Sequence, residues 1–321
     1  MKKQLTYTIP QGIECTLQEA LRGGMGLTCR QVRSAKFRDN GILVNGERSR
    51  VSRLLHEGDL VCVLLEDAHV PSDVHGVFNS ADSAPEPDIL YEDEDLLVVN
   101  KPAGMCVHPS HGHHGDTLAD LVFARSIRQG DVEIPRIIGR LDKDTSGLVL
   151  FARNKAAAQR LFEKDLVQKE YLALAQGKIC AEPDSFTISC PIARDPDHKG
   201  KMIPDPDNIN GGKSACTHVR ILGYEEGNSA DLPLSCDGFT ILSVTLETGR
   251  THQIRVHLSY IGHPLLGDPL YGSDKNAELL PISRAALHCY RMKITQPFIG
   301  KKIDLEAPIP NDFKSIHNPG L

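Results

Sequence analysis

From Ile89 to about Pro310 short apolar runs alternate with capped helical segments, and this alternation constrains the fold more than any other feature of the chain. Leu96-Leu97-Val98-Val99 reads as a strand stopped by Lys101-Pro102-Ala103-Gly104. Leu148–Phe151, Tyr171–Leu174 and Ile241–Leu246 read as further strands. Asn154 is placed to cap a helix carrying Ala157, Leu161, Phe162 and Leu166. Residues 183–238 are rich in Pro, Asp and Gly, and long loops or a β-hairpin excursion are expected there. No stretch approaches the ~18 apolar residues of a membrane span, so none is expected.

The first 67 residues read as a separate small unit. Thr28–Lys36 is a capped helix with a basic face carrying Arg30, Arg33 and Lys36, whereas Leu17–Gly26 is poorly patterned for a helix. Gly41–Val44 forms a strand ending in Asn45-Gly46, a strong hairpin signal, and Leu60–Leu65 follows Gly58-Asp59 as another strand. The formal net charge of −6 is unevenly spread. Residues 28–53 hold seven Lys/Arg against two Asp/Glu, while residues 68–95 hold eight acidic residues and no basic one. A basic patch near the N-terminus is what phosphate binding needs. The expected organisation is a unit at 1–67, an acidic Pro/Ser-rich linker at 68–88, a body at 89–311 and a tail at 312–321. Met1–Tyr7 lacks the apolar core of a signal peptide, so a cytoplasmic location is expected. Nine cysteines without a C-x-x-C pair read as reduced thiols rather than a zinc ribbon.

Two strings carry chemistry. Arg140-Leu141-Asp142-Lys143-Asp144-Thr145-Ser146-Gly147 puts a carboxylate on a turn that enters an apolar strand. Gly249-Arg250-Thr251-His252-Gln253-Ile254-Arg255-Val256-His257 puts basic residues on a helix, with Thr251 as the expected N-cap and His252 and Arg255 on one face. A carboxylate held by an arginine stays ionised when partly buried. Such an aspartate can act as nucleophile or base. Asp144 is expected to be a turn residue. Neither a phosphate loop nor a dinucleotide fingerprint is present. His108, His111, His113 and His114 crowd together, but on a glycine-rich loop with only Asp116 as a further ligand, so no metal is expected.

With others, these strings stand in the order found in the RluA family of RNA pseudouridine synthases, which the chain resembles from about Ile89 to about Pro310. The others are Asn100–Met105 followed by Val107-His108-Pro109, then Lys169-Glu170-Tyr171-Leu172-Ala173, Gly262-His263-Pro264, Gly267-Asp268-Pro269-Leu270-Tyr271-Gly272 and Ala286-Leu287-His288. The resemblance implies that Asp142 is the catalytic aspartate, that Arg255 pairs with it and that Tyr171 stacks on the target base. It implies that Arg140 enters the RNA helix when the target nucleotide flips out, with Arg250 and His252 as further RNA contacts. The implied fold class is α+β, a mixed and largely antiparallel sheet with flanking helices. Uridine would be isomerised without a cofactor, in ribosomal RNA more than transfer RNA, by a monomer with no membrane association. Residues 1–67 resemble the small RNA-binding domain of ribosomal protein S-four type. One position departs from the pattern: Gly139 stands where histidine usually precedes Arg-Leu-Asp. Gly-Arg-Leu-Asp is typical of the sister RsuA-type family, which lacks the Arg-Thr-His-Gln-Ile-Arg string. A non-catalytic RNA-binding or ribosome-assembly protein that retains the fold is the alternative. A glycosidic-bond hydrolase is disfavoured, because no second carboxylate is identifiable.

Overall fold

The computed structural model describes residues 2–27, 29–38, 40–66, 84–109, 115–130, 136–163, 166–226, 238–272 and 282–314. It divides into two compact units, one of residues 1–74 with 131–133 and one of residues 75–130 with 134–321.

In the first unit, β1 (Lys2–Thr8), β3 (Ile42–Val44), β4 (Glu47–Arg48) and β6 (Leu60–Glu66) form a sheet in the order β1-β6-β3-β4. Asn45 and Gly46 make the expected hairpin turn between β3 and β4, both at positive φ. A second, two-stranded sheet pairs β2 (Cys15–Thr16) with β5 (Leu54–Leu55). Helix α2 (Cys29–Lys36) buries Val32 and Ala35 against Leu17, Leu21, Ile42, Val61 and Val63. The poorly patterned segment is helical after all: α1 (Leu17–Glu19) runs into a π-turn at Ala20–Gly24. Its signal was the capping box of Thr16 and Glu19, in which each side chain satisfies the other's backbone N–H.

The second unit is built on a ten-stranded sheet. Its strands are β7 (Ile89–Glu92), β8 (Leu96–Lys101), β9 (Arg136–Ile138), β10 (Ser146–Ala152), β11 (Val167–Gln176), β12 (Ser185–Ser189), β15 (Cys216–Glu225), β16 (Phe239–Leu246), β17 (Leu287–Thr295) and β18 (Lys302–Glu306). The order is β12-β15-β16-β11-β17-β10-β8-β7, with β18 on β17 and β9 on β10. Every pairing is antiparallel except β10 with β17, so the sheet is mixed and largely antiparallel. All seven residues of β10 are buried, which explains its unbroken apolar run. Each large side chain there contributes ~1.5–3 kcal/mol of burial.

Residues 183–238 are only partly an excursion. β13 (Ile192–Arg194) and β14 (Met202–Pro204) form a separate pair, but β12 and the ten-residue β15 extend the main sheet. Helices α3 (Leu118–Arg128), α4 (Lys155–Glu163), α5 (Gln253–Tyr260) and α6 (Asn311–Lys314) flank the strands. Asn154 caps α4 by accepting the Ala157 N–H at 2.8 Å. Phe162 on that helix is exposed, not core. Residues 68–83 of the expected linker and 315–321 of the expected tail lie outside the described residues. Phe313 on α6 is buried in the second unit.

Candidate active site

A cleft of about 1010 Å³ in the second unit brings together the turn before β10, the middle of β11 and the loop entering α5. Asp142, Tyr171, Arg255, Arg140, Arg250 and His252 all line it. Positions widely spaced in the sequence therefore converge on one cavity.

Asp142 occupies a tight turn, its carbonyl accepting the Thr145 N–H at 3.2 Å. Two cations pin the residues that follow. Lys101, wholly buried at the end of β8, donates through Nζ to the carbonyls of Pro102, Met105 and Lys143 at 2.8, 2.8 and 2.9 Å. Burial pushes its ammonium down to about 8. Arg284 donates through Nη1 to the carbonyl of Asp144 at 3.2 Å while gripping Asp312 at 2.6 and 3.0 Å. Asp144 is thus a turn residue held by its carbonyl. Gly147 is required one turn further on. Its φ is +108°, and a β-carbon there would stand 2.2 Å from the carbonyl oxygen of Cys289, where β10 and β17 begin their parallel pairing.

The arginine facing Asp142 is committed elsewhere. Arg255 donates through Nε and Nη2 to Asp268 at 2.8 and 2.7 Å, and its Nη1 lies 3.9 Å from Asp142 Oδ2. The expected pairing with Asp142 is therefore the looser of two, and the bidentate partner is Asp268. Burial works against the guanidinium charge, but the Asp268 hydrogen bonds outweigh it and raise the Arg255 pKa. The ring of Tyr271 lies under the same guanidinium, 5.1 Å from centroid to Cζ. Its hydroxyl accepts the Met202 N–H at 2.9 Å and lies 2.8 Å from His252 Nδ1. Burial lowers the His252 pKa, so the ring is neutral near pH 7.

Helix α5 does not start as expected. Its N-cap is His252, in the left-handed region at φ 55°, not Thr251. The Thr251 hydroxyl instead accepts from Arg140 Nη1 at 3.3 Å. The turn is closed by Gln253, whose Oε1 accepts the Arg250 N–H at 3.0 Å and the Thr248 hydroxyl at 2.8 Å.

Tyr171 is 6 % exposed at the cleft wall, and burial raises its phenol pKa well above the usual range, so it is a neutral ring. Arg140 is exposed, with Nη2 at 4.0 Å from Asp142 Oδ1. Arg250 donates through Nε to the Ser214 carbonyl at 3.0 Å. Arg33 and Lys36 are exposed on α2 in the other unit; the side chain of Arg30 lies outside the described residues, as do His111, His113 and His114. Asp268, Tyr271 and Lys101 carry the geometry of the cleft yet were not singled out from sequence. Each belongs to a quoted string, and each acts through contacts that only the fold creates.

Among the described residues one grouping has the spacing of metal ligands. Cys216, His218 and Glu247 place their ligand atoms within 4.8 Å of one another, and Thr187 Oγ1 lies 2.9 Å from the second ring nitrogen of His218. It was not foreseen.

Comparison with known proteins gives one consistent result. A model of the family described as RNA pseudouridylate synthase matches residues 95–260. The Bacillus subtilis (strain 168) protein YlyB, described as an uncharacterized RNA pseudouridine synthase, is 35 % identical over 288 residues, covering 87 % of this chain and 85 % of that one. Ribosomal large subunit pseudouridine synthase D of Neisseria meningitidis serogroup B is 36 % identical, over 86 % of this chain and 71 % of its own. Among solved structures, human RNA pseudouridylate synthase domain containing 1 superposes with a TM-score of 0.55 at 29 % identity, over 70 % of this chain and 84 % of its own.

Proposed function

This chain belongs to the RNA pseudouridylate synthase family and is an RNA pseudouridine synthase, and from that premise we propose that Asp142 is the group that opens the reaction. The observation that carries this assignment is the position of its carboxylate, 15 % exposed, between the Nη1 of Arg255 and the cleft that Tyr171 walls. Isomerisation breaks the bond from ribose to the uracil nitrogen and makes one to a ring carbon. A proton leaves that carbon and one is taken up by the nitrogen, so atoms and electrons balance without a redox partner.

A stacked uridine is out of reach, so the nucleotide flips into the cleft and Arg140, exposed at its edge, fills the vacancy. The Tyr171 ring supports the flipped base by stacking, worth ~1–3 kcal/mol. Arg255, fixed by Asp268, presents a constant positive charge to Asp142 before and after the base turns. Asp142 can attack the sugar or take a ribose proton; both need this anion in this place.

The substrate we favour is ribosomal RNA, supported by the likeness to the large-subunit enzyme of Neisseria. The first unit, with its basic α2 and Asn-Gly hairpin, acts as an S-four-like RNA-binding domain that anchors the substrate. Replacing Asp142→Asn tests the reading. Pseudouridine formation in unmodified ribosomal RNA transcript, mapped by carbodiimide labelling and primer extension, should disappear while RNA affinity changes no more than a few-fold. Turnover at the wild-type rate would remove Asp142 from the chemistry.

A further inference from the structure

We propose that Lys169 forms a phosphate subsite in the cleft and takes the phosphodiester beside the flipped uridine, a role that presupposes the RNA-binding cleft assigned above.

Among the described residues four cations line the cleft: Arg140, Lys169, Arg250 and Arg255. Three are engaged within the protein. Arg255 is gripped by Asp268, Arg140 reaches Thr251 and Asp142, and Arg250 holds the Ser214 carbonyl. Lys169 is the one cleft cation without a hydrogen-bond or carboxylate partner among the described residues. Desolvation lowers its pKa, and the only group acting in the opposite sense is the Cys289 thiol. Lys169 is half-buried on the cleft wall, and a ligand anion would supply the counter-charge that no described residue provides.

The ligand's chemistry follows from the substrate. Uracil and ribose are neutral, and the phosphodiester is the only anion RNA carries. Lys169 stands two residues before Tyr171 on β11, and its Nζ lies beside Gly139, three residues before Asp142. The ammonium therefore lines the same cleft as the Tyr171 ring and the Asp142 turn, beside the backbone of Gly139, within the space a flipped nucleotide would enter. An ammonium suits a single non-bridging oxygen, as a compact point charge with three donors.

This placement also accounts for Gly139. With φ +76°, an ideal β-carbon at 139 would stand 3.0 Å from Lys169 Nζ and 3.9 Å from its Cε. The lysine occupies the space where a larger residue's side chain would begin. Glycine here and an open ammonium at 169 form one arrangement.

The test uses the full-length protein with unmodified large-subunit ribosomal RNA transcript. Equilibrium binding is measured across salt concentrations for wild type, Lys169→Met, Lys169→Arg and the control Lys293→Met, an exposed lysine on β17. Lys169→Met should weaken binding about 10-fold and flatten the slope of log affinity against log salt by about 0.7. Lys169→Arg and Lys293→Met should keep the wild-type slope. A Lys169→Met variant with an unchanged slope overturns the subsite, even if turnover falls, because a purely structural lysine moves rate and folding but not counterion release. The readout is binding, so loss of the isomerase assignment through Asp142→Asn would be seen separately.

Discussion

Arg255 Nη1 stands 3.9 Å from Asp142 Oδ2, a distance for charge but not for a hydrogen bond. Its other donors are fixed at 2.8 and 2.7 Å on Asp268, so the carboxylate at 268 aims the guanidinium at the one at 142.

Asp268→Asn should therefore impair the reaction without touching Asp142. Single-turnover rates on ribosomal RNA transcript should fall ~10–100-fold, and urea denaturation should show a loss on the order of 3 kcal/mol, because a buried arginine loses its charged partner. A wild-type rate in a folded Asp268→Asn protein would show that the aim of Arg255 is set elsewhere. Arg255→Lys should not substitute, since an ammonium cannot make the bidentate grip.

Lys101 gives a pH signature. Its folded pKa of about 8 lies below the ordinary 10.5, so between these values the unfolded chain binds the proton more tightly than the folded one. The stability cost of the buried charge is present below pH 8 and is relieved as pH rises towards 10.5. Urea denaturation of wild type against Lys101→Met should show the wild type gaining, by at most about 3 kcal/mol, across that window. A difference that stays flat with pH would mean that the three carbonyls hold the proton on throughout.

Gly147→Ala should be among the most damaging single-methyl additions to this chain. The β-carbon would meet backbone on β17 rather than a movable side chain, and the φ of +108° is strained for alanine. Thermal melting should show a loss of ~3 kcal/mol or more, or no folded protein. An unchanged melting temperature would refute the close approach of the two strands.

Arg33 and Lys36 test the anchoring role of the first unit. The double variant Arg33→Ala/Lys36→Ala should reduce the salt slope of RNA binding by ~0.9 for each phosphate that is no longer neutralised, with single-turnover chemistry at saturating RNA little changed. Identical slopes would place the anchor elsewhere.

The sequence was most informative where chemistry is local. Asp142 on its turn, Tyr171 on its strand and Arg255 on its helix could be read from strings, and the strands that carry them stand where apolar runs placed them. Less legible were residues whose role exists only across the fold. Lys101 reaches Lys143 over 42 residues, and Tyr271 meets His252 over 19. Thr251 looked like a cap because Ser and Thr usually are, but its hydroxyl is taken by Arg140 and His252 starts the helix instead. β15 was missed because its inner face includes a polar residue, the buried Thr217, and because a bulge at Ile221/Gly223 breaks the alternation after only a few residues.

The place of β17 has a consequence for the order of events during synthesis. This strand lies between β10 and β11, yet it is translated more than a hundred residues after either. A growing chain that already contains Asp142 and Tyr171 has no sheet in which to hold them side by side. The two come to face one cleft only when residues near 287 insert, so the pairing joins distant parts of the chain and should form slowly. Until then the nascent polypeptide carries Asp142 and Tyr171 without the strand that sets them beside one another or the Arg284 that pins the turn, so the cleft is completed only late in synthesis.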